Sequence, residues 1–127
     1  MDISRSNIAL VSSPEARDVG VQIHAMLSNA FPTMKVSLKN ADREISEYSA
    51  VPRFLLESCD LLVIILSTIR KVIVKPLFVQ LRKNHQSLPF VAMGLSVEPT
   101  ALHNLLLLKL TDFILPPFDE SRVIPRV

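Results

Sequence analysis

The side chains of this chain that could do chemistry are few and scattered. Cys59 is the only thiol. It stands at the start of an apolar run, which favours a buried structural role. The histidines, His24, His85 and His103, fall on separate predicted elements without a cysteine or acid at ligand spacing. No Ser/His/Asp arrangement is evident either. We therefore expect a protein that is not an enzyme, with no catalytic residue, no metal site and no cofactor.

Hydroxyl groups cluster at one place, residues 12–15, which read SSPE. Serine before proline, with an acid in the first turn, is typical of a helix N-terminus. The pattern therefore predicts a helix cap, or alternatively an anion site made by free backbone N–H groups. A glycine-rich phosphate loop is excluded, because Gly20 and Gly94 are the only glycines in the sequence.

Composition and charge exclude several other classes of protein. The 127 residues are 49% hydrophobic, which allows one domain with its own core. A net charge of +2 is too small to indicate direct contact with nucleic acid. The mild basic tract from Arg70 to Lys83 predicts a solvated helix face, with anion or partner contact as the alternative. The sequence shows neither a signal peptide nor an apolar run of membrane-spanning length, so we expect a cytoplasmic protein that does not contact a membrane.

Apolar periodicity predicts the elements that position these residues. Continuous apolar runs predict buried strands, alternation predicts an edge strand, and spacings of three and four predict helices. The predicted strands are 8–11, 34–38, 60–66, 89–93 and 113–115, and Gly94 ends the fourth. The predicted helices are 14–30, 51–58, 76–84 and 100–110, and Asp119 caps a final short helix.

These elements form a βα unit that is repeated five times. The pattern predicts an α/β fold, a flavodoxin-like (βα)5 three-layer sandwich. The second strand alternates like an edge strand while the others look buried, which favours a parallel five-stranded sheet of order 2-1-3-4-5. We expect residues 1–127 to be a single domain. Because the last helix has room for only about two turns, we also expect this domain to be the N-terminal part of a longer regulator.

The segment 112–119, DFILPPFD, resembles the end of a bacterial response-regulator receiver domain. In that family an acid, an aromatic residue and aliphatic residues lead to Lys-Pro-Phe. The resemblance covers nearly the whole chain in element order, and this tail is its most specific part. The Lys–Pro bond of the family is cis, so the resemblance implies a cis bond between Pro116 and Pro117. Only prolyl bonds adopt the cis form at modest cost.

Receiver domains accept a phosphoryl group on an aspartate, beside acids that hold Mg²⁺, at the carboxyl ends of parallel strands. The resemblance places the acid pair at Ser12 and Ser13, the phosphoacceptor at Ile65 with Leu66 as the alternative, the hydroxyl at Gly94 and the lysine at Pro116. Ser12 and Ser13 supply no carboxylate, Ile65 has no nucleophile, and Pro116 cannot donate to phosphate. The resemblance thus implies a degenerate member, a pseudo-receiver that has lost the phosphorylation switch.

Four consecutive leucines, Leu105, Leu106, Leu107 and Leu108, span about 300° of a helix. Some of them must therefore point away from the core. They either meet the last helix or a loop, or they form an exposed interface. Receiver domains commonly dimerise through the face made by their fourth helix, fifth strand and fifth helix. The resemblance therefore implies a homodimer with these leucines in its interface.

Two functions remain. The first is a non-catalytic, phosphorylation-independent receiver-like module in bacterial two-component signalling or transcription regulation. It would act through dimerisation or through contact with the output domain of its parent chain, and a sigma-54-dependent activator is one host that fits. The alternative is a small-molecule sensor that binds a ligand in the degenerate pocket.

Overall fold

The computed structural model describes residues 7–108 and 112–126, with Leu108 and Arg126 described by their backbone alone. The strands are β1 (Asn7–Ser12), β2 (Lys35–Asn40), β3 (Leu61–Ile69), β4 (Phe90–Val97) and β5 (Asp112–Ile114). They form a five-stranded parallel sheet of order β2-β1-β3-β4-β5. The predicted fold class and strand order are therefore confirmed.

Helices connect the strands and cover both faces of the sheet. A 3₁₀ turn (Pro14–Ala16) leads into α1 (Arg17–Ala30), and a second (Tyr48–Ala50) precedes α2 (Arg53–Ser58). Helix α3 is composite, with Lys71–Ile73 and Gln80–Asn84 in α geometry and Val74–Val79 between them in π geometry. Helices α4 (Pro99–Leu108) and α5 (Glu120–Val123) follow, and Ile124–Arg126 is a last 3₁₀ turn.

Strand β3 lies at the centre of the core and is buried on both faces. Because successive side chains of a strand point to opposite faces, Leu62, Ile64 and Leu66 join the cluster that includes α2, α3 and α4 residues. Val63 and Ile65 join the second cluster, with residues of α1 and α5. This two-sided burial explains why the sequence of β3 is continuously apolar rather than alternating.

The prediction that Gly94 ends the fourth strand is wrong. Strand β4 continues to Val97, and the β3–β4 ladder continues with it, pairing Leu66 with Gly94 and Ile69 with Val97. A Cβ atom at Gly94 would lie 2.8 Å from Ile69 Cγ1 and 2.8 Å from the Ser96 carbonyl oxygen. The glycine is therefore required by a close approach inside the ladder, and it does not break the strand.

The predicted start of the third helix, at Pro76, is also wrong. Helix α3 begins at Lys71, and Pro76 lies within its π segment. Proline lacks the N–H that would bond to the carbonyl four residues earlier. The wider π turn is a known way to absorb such an interruption. Proline therefore alters the geometry of this helix without starting it.

Candidate functional site

The carboxyl edge of the sheet holds four of the five residues predicted for a degenerate pocket. Ser12 pairs with Ile65 in the β1–β3 ladder, and the Ser13 amide donates to the Ile65 carbonyl over 2.9 Å. Gly94 lies one strand further along, opposite Leu66. Pro116 is exposed, and its carbonyl accepts a 3.4 Å hydrogen bond from Arg122 Nη1. The Pro116–Pro117 peptide bond is cis, which is the geometry that the tail segment predicts.

Both serine hydroxyls at this edge are buried and engaged within the protein. Ser12 Oγ donates to the Ser13 carbonyl at 2.9 Å, and Ser13 Oγ accepts from the Ile45 amide at 3.2 Å. The predicted side-chain cap is wrong, since Ser13 precedes the Pro14–Ala16 turn but makes no side-chain cap bond to it. Its hydroxyl holds a distant loop instead of the start of its own helix.

That loop, residues 41–47, is attached to the carboxyl end of β1. Its first amide, of Ala41, donates to the Ser12 carbonyl at 2.8 Å. Ile45 is 0% exposed and belongs to the same core cluster as Val11 and Ile64. At the rim, Ser67 Oγ donates to the Glu44 carboxylate at 3.1 Å. The Ile45 side chain is therefore part of the core on the face of the sheet that α2, α3 and α4 cover, and its amide holds the loop to Ser13.

The serines at this edge are tightly packed against their neighbours. Gly20 of α1 lies so close that a Cβ there would be 3.2 Å from Ser12 Cβ. Ile65 is 0% exposed and surrounded by apolar side chains. Carboxylates at these two positions would have to displace α1 or enter the core without solvation, which is costly for a charge. Nearby Asn40 has a buried Oδ1 for which the described residues offer no hydrogen-bond partner.

Carboxylates near this edge do not form a metal site within the described residues. Glu15 is exposed in the Pro14–Ala16 turn, and Glu44 accepts from Ser67. Across residues 7–108 and 112–126 no group of three His, Cys, Asp or Glu side chains is placed to hold a metal ion. Mg²⁺ binds carboxylate and phosphate oxygens, and among the described residues the carboxylates near this edge are not grouped to hold it.

The remaining reactive groups lie elsewhere and are engaged in structural contacts. Asp60, at the amino end of β3, accepts from the Asn7 amide at 2.8 Å. Cys59 is beside it, and burial raises the pKa of its thiol to about 11. Tyr48 and His85 share a 2.6 Å hydrogen bond between the Tyr48 hydroxyl and His85 Nε2. His24 Nε2 lies 3.0 Å from the Val36 carbonyl.

The final helix has the one cap that the sequence predicts correctly. Asp119 Oδ1 accepts from the Arg122 amide at 3.0 Å and from Ser121 Oγ at 2.6 Å. The Ser121 hydroxyl, followed by the Arg122 amide and charge, lowers the pKa of the Asp119 carboxyl below its ordinary value of 3.8. This cap fixes the chain direction after the two prolines.

The four leucines divide between core and surface. Leu105 is 1% exposed and packs with the core, so its predicted place in an interface is wrong. Leu106 and Leu107 are 59% and 66% exposed. Because they are about 100° apart around the helix, they face different neighbours. The side chain of Leu108 lies outside the described part of the chain.

None of the helices described is long and apolar enough to cross a membrane.

No family model matches the chain, and no curated protein matches it. Solved structures do match in shape. A protein described as pilus assembly-related, from Burkholderia pseudomallei, aligns with a TM-score of 0.67 at 14% identity, covering 95% of this chain and 85% of that one.

Two further structures with this shape are described as response-regulator proteins. A CheY-like response regulator from Mesorhizobium loti aligns with a TM-score of 0.63 at 15% identity, covering 96% of this chain and 95% of its own. The non-phosphorylated HemR receiver domain from Leptospira biflexa aligns with a TM-score of 0.61 at 18% identity, and the alignment covers 95% of this chain and 90% of that one. At such identities the likeness concerns the fold, and the chain has the fold of a response-regulator receiver domain.

Proposed function

We propose that this chain is a regulatory module of receiver fold that works without phosphorylation and without catalysis, through contact with other protein surfaces. The observation that carries the proposal is the closed carboxyl edge of the sheet. There Ser12, Ser13 and Ile65 are fully buried, and the loop that carries Ile45 is bonded to Ser13 through the Ile45 amide. A phosphoryl acceptor needs a nucleophile and a solvated cation site, and neither has room here.

The bacterial signalling setting is supported by the receiver-like structures with which the chain aligns. With the phosphate site closed, we expect this module to present a constant surface, either to the output domain of a longer chain or to a second copy. A sigma-54-dependent activator remains one host that fits.

The surface proposed for a second copy is the outer face of α4 with β5 and α5. Leu106 is its exposed apolar residue, at 59%. In a symmetric dimer this side chain would meet its own equivalent or a neighbour on the partner. Leu105 is excluded from this surface because it packs in the core.

The small-molecule sensor has weaker support. Ser12, Ser13, Ile65 and Gly94 are all buried and packed against one another or their neighbours. A ligand in that position would have to displace packed core side chains such as Ile65. Such a displacement costs on the order of the burial energy of one isoleucine, ~1.5–3 kcal/mol.

Phosphorylation independence is tested by incubating the chain with acetyl phosphate and Mg²⁺ and measuring its intact mass. A receiver domain with its acid cluster serves as the positive control. We expect the mass of this chain to stay unchanged while the control gains a phosphoryl group. A stoichiometric gain on any carboxylate of this chain would refute the proposal.

Self-association is tested by sedimentation of the wild type against Leu106→Glu. We expect a concentration-dependent dimer for the wild type and a monomer for the variant. In a symmetric contact both copies would bury the new glutamate without a counter-charge, which is costly. Arg53→Glu, at an exposed position on α2 away from this face, is the matched surface control and should sediment like the wild type. A wild type that remains monomeric at high concentration would eliminate the dimer.

A further inference from the structure

A second exposed apolar surface lies between helices α3 and α4. It is a groove of about 680 Å³ lined by Lys71, Val72, Val74, Lys75, Asn104 and Leu107. We call it the α3–α4 groove. Val72 and Leu107 are 74% and 66% exposed, which makes them the most exposed large hydrophobic residues in the described part of the chain. Adjacent exposed apolar side chains of this kind mark contact sites for other molecules.

The two walls of the groove are tied together at its end. The Glu98 carboxylate, just before α4, accepts from the Lys71 amide at the start of α3 over 2.9 Å. The Glu98 amide in turn donates to the Ile69 carbonyl, also at 2.9 Å. These bonds fix α3 and α4 relative to each other before any partner arrives, and preorganisation of this kind lowers the cost of binding.

The π segment of α3 starts at the same place. Val74 begins it, and Pro76 lies two residues further on. Single π turns are uncommon and concentrate at functional sites. The widened turn lies at the groove, where Val74 and Lys75 are lining residues.

The charged side chains that line the groove are both lysines. Lys71 and Lys75 line it, Arg70 is exposed beside it, and no acid is among the lining residues. The acid that precedes the α4 wall is Glu98, whose carboxylate accepts a hydrogen bond from the Lys71 amide. A partner that fills the apolar floor must therefore also meet two lysines, which favours carboxylates.

We infer that the α3–α4 groove binds an acidic, amphipathic segment of a partner protein. Apolar side chains of the segment pack between Val72 and Leu107, and its Asp or Glu residues lie against Lys71 and Lys75. This surface is separate from the Leu106 face, so the inference does not depend on dimerisation. It also does not depend on the state of the phosphate site.

The test uses a phage-displayed library of random peptides selected on the immobilised chain. We expect the enriched peptides to combine Leu, Ile or Phe with two or more acids. The best of them is then synthesised with a fluorescent label, and its affinity is measured by anisotropy. Because the contact is partly electrostatic, the affinity should fall as salt rises.

Matched variants locate the binding. Leu107→Glu and the double variant Lys71→Glu, Lys75→Glu should each weaken the labelled peptide by about tenfold or more, as removal of an anchor or a complementary charge does. Leu106→Glu, one position away on the same helix, should leave the affinity unchanged. All these positions are exposed, and circular dichroism of each variant checks that the fold is retained.

Several results would overturn the inference. They are a selection that enriches nothing, enriched peptides without an acidic bias, and an affinity that the groove variants do not change. Two further outcomes would assign the groove to another occupant and equally refute the proposal. One is a dimer lost in Leu107→Glu but not in Leu106→Glu, and the other is Leu107-dependent binding to phosphatidylglycerol vesicles.

Discussion

Replacing Ile45 with alanine probes the side chain that anchors the 41–47 loop at the carboxyl edge of the sheet. Ile45 is 0% exposed although it comes from a polar loop. The substitution removes buried methyl and methylene groups and leaves a cavity beside Val11 and Ile64. Such truncations cost about 2–5 kcal/mol, which is a large share of the ~5–15 kcal/mol that stabilises a typical domain. The backbone bond from the Ile45 amide to Ser13 can persist, so the loss measures side-chain packing.

The free energy of unfolding of this variant is best measured by urea denaturation followed by far-ultraviolet circular dichroism, since the chain has no tryptophan and one tyrosine. Ile45→Val should lose only about 0.5–1.5 kcal/mol. Val72→Ala, at a 74% exposed position, is the matched control and should change stability by about 0.5 kcal/mol or less. If Ile45→Ala were no more destabilising than this control, the loop would not be part of the core and the closed edge would be refuted.

Three further predictions concern single positions. Gly94→Ala should cost about 1–3 kcal/mol of unfolding free energy in the same urea assay, because its Cβ would meet Ile69 and a backbone oxygen at 2.8 Å; an unchanged midpoint would contradict the close approach. The pKa of Asp119 is lowered by Ser121 and Arg122, so its cap stabilises the fold above the ordinary pKa and is lost as pH falls through the folded value. Asp119→Asn should therefore show a weaker loss of stability on acidification, and an acid titration identical to the wild type would argue against the cap. Burial raises the pKa of Cys59 from 9.0 to about 11. Its thiolate fraction at neutral pH should therefore be about a hundredfold below that of an ordinary thiol, and its rate of alkylation by iodoacetamide should be lower by the same factor. Alkylation at the rate of a free peptide thiol would show that Cys59 is accessible.

The sheet could be predicted from sequence because its signal is local. The apolar run of β3 has no alternation, since Val63 and Ile64 face opposite layers of the core. The alternating run of β2 predicted an edge strand, and β2 does lie at the edge. The strand order could be predicted from the burial pattern and the order of the elements, because right-handed βα connections allow few other topologies.

The closed edge could not be predicted, because it depends on a contact between distant segments. Ile45 lies 32 residues from Ser13 along the chain, inside a run that reads as a polar loop. The only sequence feature that indicates burial of this loop is Ile45 itself, a single large apolar residue among polar neighbours. The role of Ser13 was mispredicted for the same reason, since local rules offer its hydroxyl only the helix that follows.

Gly94 was mispredicted because a glycine after a strand is normally interpreted as a stop. None of the described glycines has a positive φ, so no turn conformation required it. The requirement comes from Ile69, which is close only because β3 runs past the end expected for it. The length of a strand depends on the strand with which it pairs. Here β3 and β4 pair with each other beyond the ends predicted for them.

The most direct test of the closed edge is a nitrogen-15 spectrum of the chain, titrated with beryllofluoride in the presence of Mg²⁺. Beryllofluoride binds where a phosphoryl group would, so it reports an open acid site without needing a covalent step. We predict that the amide signals of Ser12, Ser13, Ile65 and Gly94 do not move. Saturable shifts at these amides would contradict the account, because they would mean that the edge binds a phosphoryl mimic despite Ile45.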